Sequence, residues 1–338
     1  MFMVNMERSN LLDEDAICGV NKTWDMKKEV VEKTLNLLCD NPEWEDRYAG
    51  YANYILEKYP RGFKKPQGLS IYSSVSMYKG HTYDLRFDGQ SVGKIYDQLF
   101  PKKVTLELNE DANRKYFGLE LKNRRIDWNA DPDAKIFRRF FRDKAKENDV
   151  NLKSPEHRVE NRLLKEFAKK TRAENKALTN IQPITLNGCF FQMPTPIKAS
   201  KHHPEYAKQF GGGIDIMARS GRKICVMEVK DENKESESQA AATEQALTYA
   251  TFIARLLRSK SGKRWWNFFM DRETDLTPVR KELEIDVVTI MPKGDTEEFL
   301  GDIDLPELAT TFHCHTLYYD DDQFKKGEFE FSGSFCKK

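Results

Sequence analysis

The chain reads as an α/β protein, in which residues 151–338 form a mixed central sheet flanked by helices and residues 1–150 form an N-terminal α+β domain. Three observations predict this. From Ser154 onward, periodic helical segments and short β-branched segments follow one another as helix, three strands, helix, strand, strand. Before them, NDVNLKSP combines turn residues with a proline and no periodicity, which marks a linker. At 338 residues, the chain is also long enough to bury two separate cores.

In chain order, residues 24–59 predict a helix. Trp24 and Met26 precede VVEKTLNLL and WEDRYAGYANYILEKY, with apolar residues recurring at three and four, and Pro60-Arg61-Gly62 ends the run. YSSVSMYKGHTYDLRFDG and KKVTLELNE alternate and are bounded by Gly and Pro, as strands are. KIFRRFFRDKAKEN, Lys135 to Asn148, reads as a basic helix. Ser154-Pro155 is a helix start, with Ser as cap and Pro in the first helical position, ahead of EHRVENRLLKEFAKKTR. Strands follow at ITLNGCFFQMP, GGGIDIMAR and RKICVMEVK, then a long helix at SESQAAATEQALTYATFIARLLRS. LEIDVVTIMP is a buried strand by its β-branched run, and HCHTLYYD is another. No internal repeat is present.

Composition excludes several classes. Hydrophobic residues are 39% and charged residues 32%, and no run approaches the roughly 18 apolar residues of a membrane span. The N-terminus lacks a basic flank followed by an apolar core, so no signal peptide is expected. Six cysteines stand at 18, 39, 189, 225, 314 and 336 with no CxxC pair, which offers no zinc ribbon or iron–sulfur ligand set and fits a reducing cytoplasm. His313-Cys314-His315 lies in an alternating stretch and reads as strand rather than as a metal cluster. Lys and Arg total 55 against 54 acids, so net charge is silent on nucleic acid and its distribution must speak instead.

The chemistry concentrates between residues 211 and 230. Gly221-Arg222 suits a two-residue hairpin loop, with Gly first as a type II′ turn prefers. Ser220 then pairs with Lys223 and Arg219 with Ile224, and the count places Asp215 opposite Glu228. Opposed residues share a face, with Cβ atoms roughly 4.5–5.5 Å apart. Lys230 joins that face because side chains alternate with period two. Two opposed carboxylates repel unless a cation offsets them, and a hard divalent ion prefers such oxygens. Three charges on one face of an apolar hairpin point to metal-assisted hydrolysis, with Lys230 left to hold water or stabilise a phosphate in flight.

GGGIDIMARSGRKICVMEVK resembles the signature of PD-(D/E)xK nucleases, in which Asp and then Glu-x-Lys hold the metal, although Ile214 stands where the motif's proline would be. The element order over roughly 154–320 is similar to that superfamily's restriction-endonuclease-like core. Gln245-Ala-Leu-Thr-Tyr249 resembles the QxxxY element of RecB-like members, in which both residues flank the metal and the bound strand, and positions four apart do share a helix face. The resemblance implies Mg²⁺ or Mn²⁺ held by Asp215, Glu228 and the Val229 carbonyl. It also implies a further glutamate from the first helix, for which Glu160 is the better candidate and Glu156 lies one turn away.

Basic and aromatic residues cluster at Lys135–Lys146 and again at Arg255–Trp266, where Arg258, Lys260, Lys263 and Arg264 have no acid among them. Both clusters suit phosphate neutralisation and base stacking, and for the first the preferred alternative is an amphipathic helix buried by its Phe residues. The second suits phosphate contact or a basic loop, and His202-His203 reads as exposed loop. The sequence therefore predicts a cytoplasmic, metal-dependent nuclease acting on DNA, RNA being the lesser expectation, as in restriction or prokaryotic defence. The alternative is a non-catalytic nucleic-acid or protein binding module on the same fold. Residues 1–150 are left open between target recognition, a regulatory ligand and homodimerisation.

Overall fold

A computed structural model describes residues 14–56, 61–75, 81–99, 101–147, 155–168, 178, 180–199, 203–230, 238–271, 277–293, 301–320 and 331–337. The expected linker at 148–154, with its Ser154 cap, lies outside the described residues, as does His202. The protein is mixed α/β, built on two large sheets.

Two helices, α1 (Glu14–Asp40) and α2 (Glu43–Leu56), stand where the sequence predicts one. Pro42 is the reason, since it has no N–H to donate and its ring excludes the preceding turn. The first sheet follows: β1 (Ser70–Ser73), β2 (His81–Phe87), β3 (Gln90–Gln98), β4 (Lys103–Leu108), the short helix α3 (Glu110–Ala112) and β5 (Arg125–Asp127). The sequence reading passed over β3, whose period-two pattern is interrupted by Gly93 and by charged Lys94 and Asp97. Helix α4 (Pro132–Lys144) begins at an Asp131 cap and buries Ala134, Phe137 and Phe141 in the core of this sheet.

The C-terminal half runs α5 (Pro155–Ala168), β6 (Ile181–Pro183), β7 (Thr185–Leu186), β8 (Cys189–Phe191), β9 (Pro194–Thr195), β10 (Ile197–Lys198), β11 (Glu205–Tyr206), β12 (Gly212–Gly213), β13 (Ile216–Ser220) and β14 (Lys223–Val229). Then come α6 (Gln239–Leu257), α7 (Gly262–Phe269), β15 (Leu283–Pro292), β16 (Asp302–Leu305), β17 (Thr310–Tyr319) and β18 (Phe331–Ser332). The second sheet is ordered β16-β17-β15-β14-β13-β6, with β18 added on β17. β14 is antiparallel to β13 and parallel to β15, which is parallel to β17. The parallel β14–β15 pair requires a crossover, and α6 supplies it.

Two expectations need correction. ITLNGCFFQMP is not a strand of the second sheet. It turns at Asn187-Gly188, both at positive φ as a type I′ turn requires, and makes the β7–β8 hairpin. That hairpin completes the first sheet, because β8 runs parallel to β1. Nor do the cores divide at residue 150. Val31, Leu38, Trp44 and Tyr48 pack in one cluster with Phe252, Ile253 and Trp265, while Cys189 belongs to the N-terminal core. Among the described residues, no helix is long and apolar enough to cross a membrane.

The two halves also meet at α5. The β2–β3 turn, Asp88-Gly89, lies against it so closely that a Cβ on Gly89 would stand 2.1 Å from the His157 carbonyl oxygen. Asp88 pairs with Arg158 at 2.9 Å. A register shift between Leu85 and Arg86 breaks the alternation of β2, so Leu85, Arg86 and Phe87 are buried in succession. This irregularity turns Arg86 toward α5.

Candidate active site

The β13–β14 hairpin has the predicted register: Ser220 opposes Lys223, Arg219 opposes Ile224, and the ladder runs to Ile216 opposite Met227. Gly221 takes φ +62, the conformation that the first position of this turn demands. Asp215 stands one residue beyond the last pair, and its Oδ2 accepts a hydrogen bond from the Val229 N–H at 2.9 Å. The carboxylate is thus held across the hairpin, beside the Glu228–Lys230 segment.

Glu228 and Lys230 are only 2% and 3% exposed. The Lys230 ammonium donates to Glu228 Oε1 at 3.0 Å and to Gln245 Oε1 at 2.9 Å. Gln245 Nε2 donates to the Tyr249 hydroxyl at 3.5 Å, so both α6 residues face the site, as their four-residue spacing predicts. The Lys230 carbonyl accepts from the Tyr319 hydroxyl at 3.0 Å. Among the described residues Glu228 Oε2 has no hydrogen-bond partner although it is buried, a costly position for a carboxylate oxygen.

Glycines let the chain pass here. A Cβ on Gly212 would stand 2.8 Å from the Tyr249 hydroxyl, and one on Gly211 would stand 2.5 Å from the Ile197 carbonyl carbon. The glycine run thus allows its backbone to lie directly against α6 and β10.

Electrostatics at the site follow from burial and like charge. Burial, then the carboxylates of Glu160 and Glu156, push Asp215 up to about 7, against the Val229 N–H and Lys230. Burial and Asp215 raise Glu228 well above the carboxylate range. An ion pair alone would pull Glu228 down, but burial and the adjacent acid outweigh Lys230. Burial works to discharge Lys230, yet Glu228, and after it Asp215 and Glu156, hold it above the usual lysine range. The ammonium therefore stays charged while the two carboxylates share too little positive charge.

The structure brings Glu160 to the same neighbourhood but engages it. It is 1% exposed, and Arg86 Nη1 donates to its two oxygens at 3.4 and 3.3 Å. Gln192 Nε2 donates to Oε1 at 3.3 Å, and His157 lies 3.5 Å from Oε2. The hydrogen bond to Glu160 raises the His157 pKa against burial. Arg86 also stacks on Tyr72, 4.1 Å from the ring centroid, and pairs with Asp84 at 2.7 Å. Sequence reasoning missed Arg86, Gln192 and His157, and nothing local to β2 or to FFQMP announces them. Among the described residues, no group of three or more His, Cys, Asp or Glu side chains is arranged to hold a metal ion. Asp215 and Glu228 are two oxygen donors of the right hardness, and the third candidate is paired to an arginine.

The second basic cluster lies elsewhere and is largely occupied. Arg258 closes the end of α6 by donating to the carbonyls of Leu308 and Ala309 at 2.7 and 3.0 Å, and of Arg280 and Lys281, both at 2.8 Å. Lys260 pairs with Asp46 and Arg264 with Asn53, both on α2, whereas Lys263 is exposed. Residues 262–269 form α7 rather than a basic loop, with Trp265 and Trp266 buried. Arg258 also lies about 20 Å along α6 from Gln245, at 1.5 Å per residue. Lys260 and Arg264 dock α2, and Arg258 closes the end of α6, rather than flanking the site. His203 is exposed, as read.

No family model matches the chain, and neither a curated protein nor a solved structure matches it significantly.

Proposed function

We propose that this protein is a metal-dependent nuclease hydrolysing phosphodiester bonds, with Asp215, Glu228 and Lys230 as its central residues. The observation that carries the reading is the pairing of two half-compensated carboxylates with a buried, charged lysine across one hairpin, with Glu228 Oε2 lacking a partner among the described residues. An all-oxygen donor set of this kind fits Mg²⁺ or Mn²⁺. Asp215, Glu228 and the Val229 carbonyl would hold the ion, and Glu160 is the further candidate on α5. When bound, such an ion supplies charge neutralisation at a phosphoryl oxygen and a more acidic water.

The remaining roles belong to the protein's own groups. Lys230, fixed by Glu228 and Gln245, presents a permanent positive charge to negative charge developing on the phosphoryl group. Gln245 and Tyr249 position the scissile strand. The order α5, β6, β13, β14, α6, β15, with β7–β12 inserted after β6, supports a restriction-endonuclease-like core, and DNA is the substrate we favour.

A binding module on the same fold is the second reading, and one observation favours it: Glu160 is engaged by Arg86, Gln192 and His157. Supercoiled plasmid, single-stranded DNA and RNA, each incubated with purified protein and Mg²⁺ or Mn²⁺ or with EDTA, separate the two. Cleavage that requires the ion supports the enzyme. Retention of nucleic acid with no cleavage of any substrate in either metal supports the module.

A further inference from the structure

Residues 61–67 and helix α4, some seventy residues apart in sequence, wall an open trough of about 740 Å³. Arg61, Lys64, Lys65, Lys135, Arg139 and Arg142 line it, with no acidic residue among the lining side chains. Its walls are built rather than incidental. Phe63 is buried against Trp128, with ring centroids 5.8 Å apart. Gly68 takes φ +83, and a Cβ there would stand 2.5 Å from the Phe141 carbonyl oxygen, so the loop lies directly on α4. On α4 itself, Phe137 and Phe141 are buried, which fixes the direction of the opposite face.

That opposite face presents Lys135, Arg139 and Arg142, at positions i, i+4 and i+7. They span about 10 Å of helix, the length of about three phosphates at roughly 3.4 Å per nucleotide of one strand. Across from them, Lys64 and Lys65 are exposed, and Arg61 Nη1 is a buried donor with no acceptor among the described residues. Asp143, beside the trough, pairs with Arg139 at 3.7 Å and Arg142 at 3.1 Å, leaving the assembled set strongly positive. Arg138 also lines the trough but is engaged, donating to the Trp128 carbonyl at 2.6 Å and stacking on its ring.

We infer that this trough binds the phosphate backbone of a nucleic acid, at a surface separate from the Asp215–Glu228–Lys230 cluster. Gathering these cations against the single carboxylate of Asp143 costs self-repulsion, and a polyanion lying along the trough relieves it. Its concave form suits a strand better than a flat bilayer. The aromatic rings of its walls, Phe63 and Trp128, are buried, so contact is with phosphates rather than through base stacking, and binding is independent of sequence. That the anion is the substrate rests on the nuclease reading; the trough's affinity for nucleic acid does not.

The test is equilibrium binding of full-length protein to a fluorescein-labelled 30-bp DNA duplex in EDTA, followed by anisotropy across a salt series. Lys64→Ala/Lys65→Ala/Lys135→Ala/Arg139→Ala should weaken binding at least 30-fold near 0.15 M salt. It should also make the slope of log K against log salt shallower by about three. The matched arginine variant, Lys64→Arg/Lys65→Arg/Lys135→Arg, should bind like the parent, and Lys260→Ala/Lys263→Ala should change little. Unfolding midpoints check that each variant is folded, and the single variant Lys135→Glu serves if the quadruple one is not. Parental affinity and slope in a folded alanine variant would overturn the inference. So would failure of the parent to bind duplex, or capture by the same residues of phosphatidylserine vesicles alone. Binding that depends on the trough in a protein that cleaves nothing would support the inference and sink the nuclease reading.

Discussion

Glu228 on β14 and Lys230, one residue past its end, are both buried, and a bond of 3.0 Å joins them. That bond could be purely structural, and kinetics distinguish the cases. If Lys230 stabilises developing phosphoryl charge, Lys230→Ala should lower the single-turnover cleavage rate by about 100-fold or more while DNA affinity barely moves. A parental rate would remove Lys230 from the active site. Asp215 carries a second consequence. Its pKa is about 7 in the folded chain, against about 3.9 unfolded, so the folded state binds the extra proton between those values. Stability from this group is therefore fully present below about pH 4 and is lost as pH rises through 7. In EDTA at pH 8, Asp215→Asn should raise the unfolding free energy, by about 4 kcal/mol for the rise from about 3.9 to about 7, less what the weaker bond from the Val229 N–H gives up. Mg²⁺ should stabilise the parent more at pH 8 than at pH 5, because ion and protons compete for the same oxygens. Thermal unfolding at both pH values, with and without Mg²⁺, measures this, and a variant less stable than the parent at pH 8 would contradict it.

At the scale of elements, α6 joins two unlike ends. Its N-terminal half carries Gln245 and Tyr249 to the site, and its C-terminus is closed by Arg258 against four carbonyls. Removing that guanidinium takes the Arg258 donor from the Arg280 and Lys281 carbonyls, while those of Leu308 and Ala309 keep the Thr310 hydroxyl and the Leu283 N–H. Arg258→Met should cost about 2–3 kcal/mol of stability, given that hydrogen bonds from charged donors contribute about 1.5–3 each and part of this is recovered by water. Duplex DNA affinity should stay at the parental value. Chemical denaturation and anisotropy on one preparation decide it, and a stable variant that binds weakly would return Arg258 to the nucleic-acid surface.

At the scale of the whole molecule, the two halves are interleaved. Helices α1 and α2 cover α6 and α7 with Val31, Leu38, Trp44 and Tyr48, and strand β8 pairs with β1. Expressed alone, residues 151–338 would expose the apolar surface around Phe252 and Trp265, while residues 1–150 would lack the end of their sheet. Each fragment should be insoluble or bind a hydrophobic dye, and co-expression should recover soluble complex. A cooperative melt from isolated 151–338 would show that the halves fold independently.

Much of the candidate site was legible because it is local. A two-residue turn fixes hairpin register, and period two then assigns faces, so Asp215, Glu228 and Lys230 fall together from the spacing of sixteen consecutive residues. The faces of α6 follow in the same way from the helical period, and LEIDVVTIMP coincides with β15. What tertiary structure alone decided is which distant group each charge meets. Arg86 reaches Glu160 across 74 positions, Arg258 reaches Leu308 across 50, and Arg255 reaches Glu45 across 210. A basic residue has the same local signature whether it faces a carbonyl, a carboxylate or solvent. For this reason the sequence offered phosphate contacts at 258–264 as readily as at 135–146, and at the former the fold uses the charges of Arg258, Lys260 and Arg264 to close α6 and dock α2. The fold instead brought residues 61–65 beside α4, because packing between separate surfaces, unlike periodicity within one segment, leaves no pattern along the chain.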